Sequence, residues 1–244
     1  MTTRQVEFDK NANAFSERYG AFLGNIKAAY QARILSKSLN YKSIKSFEQE
    51  ASNLARLYLE GEIEQCQRAE VAIKQYIESD FAKTGMDAEV LDNPEYMNYL
   101  SDFTSYVYSS IRHQVSKDIL FATQRLRVES IKLLNSNFNY MQTIIDYKEP
   151  EFVFNDKAGR NLPSKKYIRT MVRDYFVKSY NDIFVENLIL HNIDAVQVYH
   201  IDQTHKHYGL ILSVNNNDNE LNYFKVRDDI FHPNSNAVLM MVGD

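Results

Sequence analysis

Towards its carboxy terminus the chain gathers four of its six histidines: His200, His205, His207 and His232. His205-Lys206-His207 spaces two imidazoles two residues apart, and on a strand that spacing turns both rings to one face. Joined by His232 from a distant loop, the pair would make a three-His metal site with an open coordination position. The alternative is a set of loop histidines, solvated or hydrogen-bonded, and a bare His-x-His pair favours that reading. No metal and no cofactor are therefore expected. A hydrolytic site would need Ser213 or Ser235 beside a histidine and Asp202, yet no Gly-x-Ser-x-Gly turn frames either serine. Asp228-Asp229 is a carboxylate pair whose members would point to opposite faces of a strand. The sequence has neither a Walker A loop nor a Gly-x-Gly-x-x-Gly turn. Cys66 stands alone, which excludes an internal disulfide and a cysteine-built zinc site. Inside a helix it reads as a small, half-buried apolar residue. No set of residues points to catalysis, and the chain is expected to be non-enzymatic.

Lys165, Arg169 and Arg173 recur every fourth residue, so on a helix they form one basic stripe, with Lys157 and Arg160 before it. Such a stripe is either a solvated face or a surface for phosphates or an acidic partner. The whole chain carries a net charge of −4, without the positive excess of a duplex binder. Binding to duplex DNA is expected to be weak or absent. The charge is uneven: residues 51–100 hold four basic and ten acidic residues, residues 1–50 eight basic and five acidic. That asymmetry marks packing against a partner or a neighbouring subunit. Tyr96, Tyr99, Tyr106 and Tyr108 exceed what one core-facing stripe holds, so some of them are expected to face a partner.

The elements that must position these residues follow from periodicity. With 7 glycines and 4 prolines in 244 residues, long uninterrupted elements are favoured. Residues 1–148 read as a helical body. A first helix opens near Asn11 and carries Phe15, Phe22, Ile26 and Tyr30. Ser46 and Gln49 make a capping-box pattern that starts a second, where Phe47, Ala51, Leu54, Tyr58, Ile73 and Ile77 return with a period near 3.6. Gly85 and Asp92-Asn93-Pro94 break it. Asn93 then caps a third helix that begins at Pro94 and runs past Leu100, Val107 and Leu126 towards Leu133. Residues 149–163, with Pro150, Gly159 and Pro163, read as a connector. Ser164 caps a strong helix that ends at His191-Asn192, where Asn adopts the left-handed cap conformation. After Asn192 the period becomes 2, and residues 196–199, 210–214, 221–226 and 237–242 read as strands around an Asn215–Asp218 turn. The fold class expected is α+β, mainly α: a helical body followed by a helix plus small β-sheet module over residues 164–244. The amino terminus lacks the apolar core of a signal peptide, and no apolar run approaches the ~20 residues that span a bilayer.

Several short motifs occur in order along the last third of the chain. Gly159-Arg160 and Pro163-Ser164 lead into a helix bearing Arg173 and Tyr180-Asn181, followed by Asn192-Ile193-Asp194-Ala195-Val196-Gln197. Phe231-His232-Pro233-Asn234-Ser235 and a small strand close the series. That order resembles the carboxy-terminal domain of phage minor-capsid (head-morphogenesis) proteins of the Mu-F-like class, also described as minor capsid protein 2-like. The family places two cysteines after the strand and a third in the closing motif, a metal-site pattern. Here Gln203 to His207 and Ser235 stand in those places. Either the metal is lost or His205, His207 and His232 supply a changed site, and a core held by hydrogen bonds alone is the simpler account. In that account His232 and Asn234 organise the tail by bonding to backbone near residues 196–208.

The resemblance implies a low-copy virion component, assembled in the bacterial host cytoplasm and present with the portal during head morphogenesis. Its expected partners are the portal or other capsid proteins, with several copies per particle, no membrane, and a contact with packaged DNA also compatible. Two other classes compete. One is a phage-encoded effector, toxin or metal-dependent enzyme on a similar module. The other is a host helical adaptor protein, which gives no reason for the Phe-His-Pro-Asn motif.

Overall fold

Helices carry most of the chain: α1 (Thr3–Leu35), α2 (Tyr41–Lys83), α3 (Pro94–Asn135), α4 (Ser164–Leu190) and the short α5 (Tyr223–Ile230). The strands are β1 (Val153–Asn155), β2 (Asn161–Pro163), β3 (Ala195–His200), β4 (Ile211–Ser213) and β5 (Ala237–Met240). This computed structural model describes residues 3–36, 39–135, 149–156, 158–215, 220–232 and 235–242. Lys157, Pro233, Asn234, most of the Asn215–Asp218 turn and the Leu133 side chain therefore lie outside the described residues. The fold is mainly α with a small carboxy-terminal sheet, as the change of period predicts. Among the described residues, no helix is long and apolar enough to cross a membrane.

The helix ends show which local signals prevailed. α1 begins at Thr3, well before Asn11. α2 begins at Tyr41 rather than at Ser46, because Asn40 caps it: Asn40 Oδ1 accepts from the Lys42 and Ser43 amides, and Ser43 Oγ accepts from the Asn40 amide. Ser46 sits inside α2 and accepts from Arg33. α3 opens as read, with Asn93 Oδ1 accepting from the Glu95 amide. α2 and α4 both close through a left-handed residue, Gly85 (φ 75°) and Asn192 (φ 57°). In each case a 6→1 bond follows, Met86 N–H to the Phe81 carbonyl and Ile193 N–H to the Leu188 carbonyl.

Three expectations are corrected. The connector contains a hairpin, with Phe154 opposite Leu162 and a loop held by Asp156, whose carboxylate accepts from the Ala158 and Arg160 amides. Residues 221–226 are not a strand: Asn222 caps α5 by accepting from the Phe224 amide. Ser164 starts α4, but its hydroxyl donates to Asp118 instead of capping the helix. In the tail, β3 is the central strand of an antiparallel sheet ordered β4-β3-β5. Its alternation buries Val196, Val198 and His200 on one face.

The chain gathers into two compact units. The first comprises Met1–Ala14, Gln65–Val107 and Arg169–Asp244, the second Phe15–Glu64 and Tyr108–Ile168. The sequence division at 149–163 differs from this one, since the hairpin belongs to the second unit with parts of α1, α2 and α3. In the first unit Phe8 stacks on Phe176 at 5.9 Å, meets Tyr180 edge-on at 5.5 Å, and Phe81 packs on Phe184 at 5.1 Å. Truncating one such buried ring to Ala costs about 3–5 kcal/mol. In the second unit Phe22 stacks on Tyr58 at 5.0 Å and Tyr30 meets Phe47 edge-on at 6.3 Å. There Arg18 reaches the buried Glu62 at 2.6 Å. A Cβ on Gly61 would lie 2.7 Å from the Arg18 guanidinium, so the glycine clears its path.

Candidate functional site

Arg173 lies on the buried face of α4 and holds the first unit together. Its Nε donates to Asp9 on α1 at 2.9 Å, one terminal nitrogen to the Ser235 carbonyl, and the other to Asn236 Oδ1 at 3.0 Å. Gln5 on α1 donates to the Asn236 carbonyl. The planar guanidinium thus ties the amino-terminal helix to the lead-in of β5. Arg169, one turn away, donates to Asn13 at 2.5 Å and to Asp9 at 3.4 Å. In the second unit Lys165 pairs with Glu17 at 2.7 Å. The basic stripe therefore meets a stripe on α1 with the same four-residue spacing, Asp9, Asn13 and Glu17. Its charges are engaged within the chain.

Tyr180 is buried and donates to Asp80, which Arg4 also grips through two nitrogens at 2.7 and 2.8 Å. Burial and the Asp80 carboxylate push the Tyr180 phenol far up. Asn181 is fully buried, and its amide finds no hydrogen-bond partner among the described residues. His232 is exposed, and the closing turn uses its backbone carbonyl, which accepts from the Ser235 amide. Ser235 Oγ in turn accepts from the Ala237 amide, a structural role for a serine weighed as a nucleophile.

His205 and His207 lie on a turn that follows β3, not on a strand, while His200 ends β3 itself. Asp202, Thr204 and His205 shape residues 201–209 through local bonds, and Gly209 (φ 75°) returns the chain to β3. The His200 and His205 rings stack at 3.9 Å, and His207 meets His205 edge-on at 5.0 Å. Burial, and then the neighbouring Lys206 and histidine charges, hold His207 below the usual imidazole range. Among the described residues, no group of three His, Cys, Asp or Glu side chains is arranged to hold a metal ion.

Sequence reasoning missed two carboxylates. Asp182, inside α4, accepts from Tyr99 at 2.9 Å, from Tyr223 at 2.6 Å and from Arg227 at 2.9 Å. Asp118, inside α3, accepts from Tyr19 at 2.5 Å and from Ser164 and Gln114 at 3.0 Å each. Burial pushes Asp118 up to about 6, although the three hydrogen bonds pull it down. The available signal was an Asp in a helix interior within an apolar register, where the residue is a poor helix former unless it has a partner.

No family model, curated protein or solved structure matches this chain.

Among the described residues, two exposed features bear on docking. In the first unit Tyr99, Phe103 and Tyr106 on α3 form a ladder with ring spacings of 6.3 and 6.1 Å and interplanar angles of 3° and 9°. Phe103 rests on the buried Tyr175 at 4.6 Å, and the Tyr175 hydroxyl is fixed by Thr104 at 2.8 Å. Tyr106, at the open end, is 61% exposed. Beside the ladder Tyr96, Tyr99, Glu186, Phe224 and Arg227 line a cavity of about 240 Å³. In the second unit α2 and α3 leave a groove of about 620 Å³. Its floor is aliphatic (Ala55, Leu59, Val115, Ile119), and Leu120 on its edge is 55% exposed.

Proposed function

We propose that the chain is a non-enzymatic minor-capsid or head-morphogenesis protein, a virion component that docks on the portal or another capsid protein. The observation that carries this reading is the aromatic ladder. Three parallel rings on one helix face are held from below by Tyr175 and at one end by Asp182. Their rotamer entropy is already spent, so a partner gains contact area at little further ordering cost. Tyrosines held this way are the side chains that dominate protein interfaces. The order of motifs from Gly159 to Ser235 supports a virus-head role in particular. Arg173 and Tyr180, two members of that series, act as internal ties in the first unit, the role expected of residues that define a module rather than a reaction. With the basic stripe engaged by α1, contact with packaged DNA is at most weak and salt-dependent.

The test is the composition of particles assembled with wild-type chain or with Tyr106→Ala. Wild-type chain is expected in heads or assembly intermediates, and the variant at least about tenfold depleted, the range of a single interface hot spot. Equal incorporation of both would remove the ladder from the interface. Absence of the wild-type chain from every particle would remove the reading.

A further inference from the structure

The walls of the groove in the second unit differ in sign. Of its charged lining residues, Glu48, Arg56 and Glu60 lie on α2, with Arg56 paired to Glu60 at 2.8 Å along the same helix. Arg112 and Arg127 stand on the α3 side, so the α2 wall is acidic by one charge and the α3 wall basic by two. The two helices run antiparallel here, with Glu48 meeting Arg127 at 2.6 Å. From Glu48 to Ile63 the groove is roughly 22 Å long at 1.5 Å per residue, enough for several turns of a packed helix.

We propose that this groove is the interface between two copies of the chain, related by a two-fold axis running along it. Rest on the docking reading is limited to one point, that exposed apolar surface in this protein serves assembly. Rotation about that axis lays α2 of each copy over α3 of the other. The acidic wall then meets the basic wall twice, Glu60 facing Arg112 and Glu48 facing Arg127 of the second copy. The aliphatic floors close on each other as a four-helix arrangement with antiparallel neighbours. A two-fold axis across the groove would instead stack α2 on α2 and oppose like charges, which costs binding energy. A foreign helix would have to carry an acidic and a basic stripe in matching register. A second copy carries both by construction.

Sedimentation equilibrium of the purified full chain reads this directly. A dimer is expected that weakens as salt is raised, because rim charges are screened over about 8 Å at physiological ionic strength. Leu120→Glu should abolish it. Glu60→Arg and Arg112→Glu should each weaken it about tenfold or more, about 1.4 kcal/mol per factor of ten. The double variant Glu60→Arg/Arg112→Glu should recover most of that loss. All three positions are exposed, and unchanged thermal melting of each variant guards against misfolding. A monomer at every concentration, or a dimer indifferent to these substitutions, overturns the proposal. Neither result bears on particle incorporation, and absence from particles leaves the dimer intact, so the two readings fail separately.

Discussion

The two halves of α3 solve different problems with the same device, a carboxylate placed in a helix environment. Near residues 94–107, in the first unit, Asp182 from α4 fixes Tyr99 while Arg227 supplies a compensating positive charge. In residues 108–135, in the second unit, Asp118 is held by a phenol, a hydroxyl and an amide, all of them neutral. The first arrangement serves an exposed aromatic surface, and the second binds a core. Burial raises the proton affinity of Asp118 to about 6, although its three neutral donors pull it down. One region leaves aromatic rings exposed, and the other holds a buried carboxylate that responds to pH.

The largest expected effect comes from removing the tie that holds the first unit. Arg173→Ala takes a donor from the Ser235 carbonyl and from Asn236 Oδ1, leaves Asp9 with the longer contact to Arg169, and should cost about 3–5 kcal/mol in denaturant unfolding. Arg173→Lys should recover little, because a point charge cannot serve three acceptors in a plane. A loss under about 1 kcal/mol would show that Arg173 is peripheral.

Asp118 gives the next effect. Asp118→Ala strands the buried Tyr19 and Ser164 hydroxyls, leaves Gln114 its bond to Ser164, and should cost about 2–4 kcal/mol. Its pH dependence has a definite sign. The folded-state value lies near 6 and the ordinary value at 3.8, so the folded chain holds a proton that the unfolded chain releases. This contribution is fully present below the ordinary value and is lost as pH rises through about 6. Asp118→Asn should flatten that slope in melting curves taken between those two values. An unchanged slope would place the titration elsewhere.

Smaller effects sharpen the contrast. Tyr106→Ala should change stability by less than about 0.5 kcal/mol, as an exposed side chain does, while depleting the chain from particles. Elemental analysis of purified chain should find no stoichiometric zinc. A bound zinc lost in His207→Ala would show that the histidine turn is a metal site after all.

Much of the fold was legible in periodicity. The α3 start at Pro94, the left-handed Asn192 and the strands beginning near Val196, Leu210 and Ala237 all follow from local chemistry, and the structure places them there. The failures have local causes too. Asn40 and Ser43 outcompeted Ser46 because a reciprocal pair of bonds satisfies more free amides than a lone pattern. Residues 221–226 are too short for period 2 to be told from period 3.6, and the Asn222 cap decided the outcome. The hairpin hid behind Gly159 and its prolines, although Phe154 stacks on Tyr167 at 3.7 Å. For the candidate site, Arg173 and Tyr180 were visible as residues but not as ties. The stripe's partners were visible in principle, since Asp9, Asn13 and Glu17 repeat its spacing in reverse order. What no single sequence shows is which two helices will lie side by side.

On the proposed reading, this chain docks in a virus head without turning over a substrate. Imaging and composition of purified heads and assembly intermediates, made with and without the chain, test it most directly. The chain is expected at the portal or an adjoining capsid protein, with the Tyr99–Phe103–Tyr106 face buried in the contact. Its absence from both heads and intermediates, or robust turnover of any substrate by the isolated chain, would contradict it.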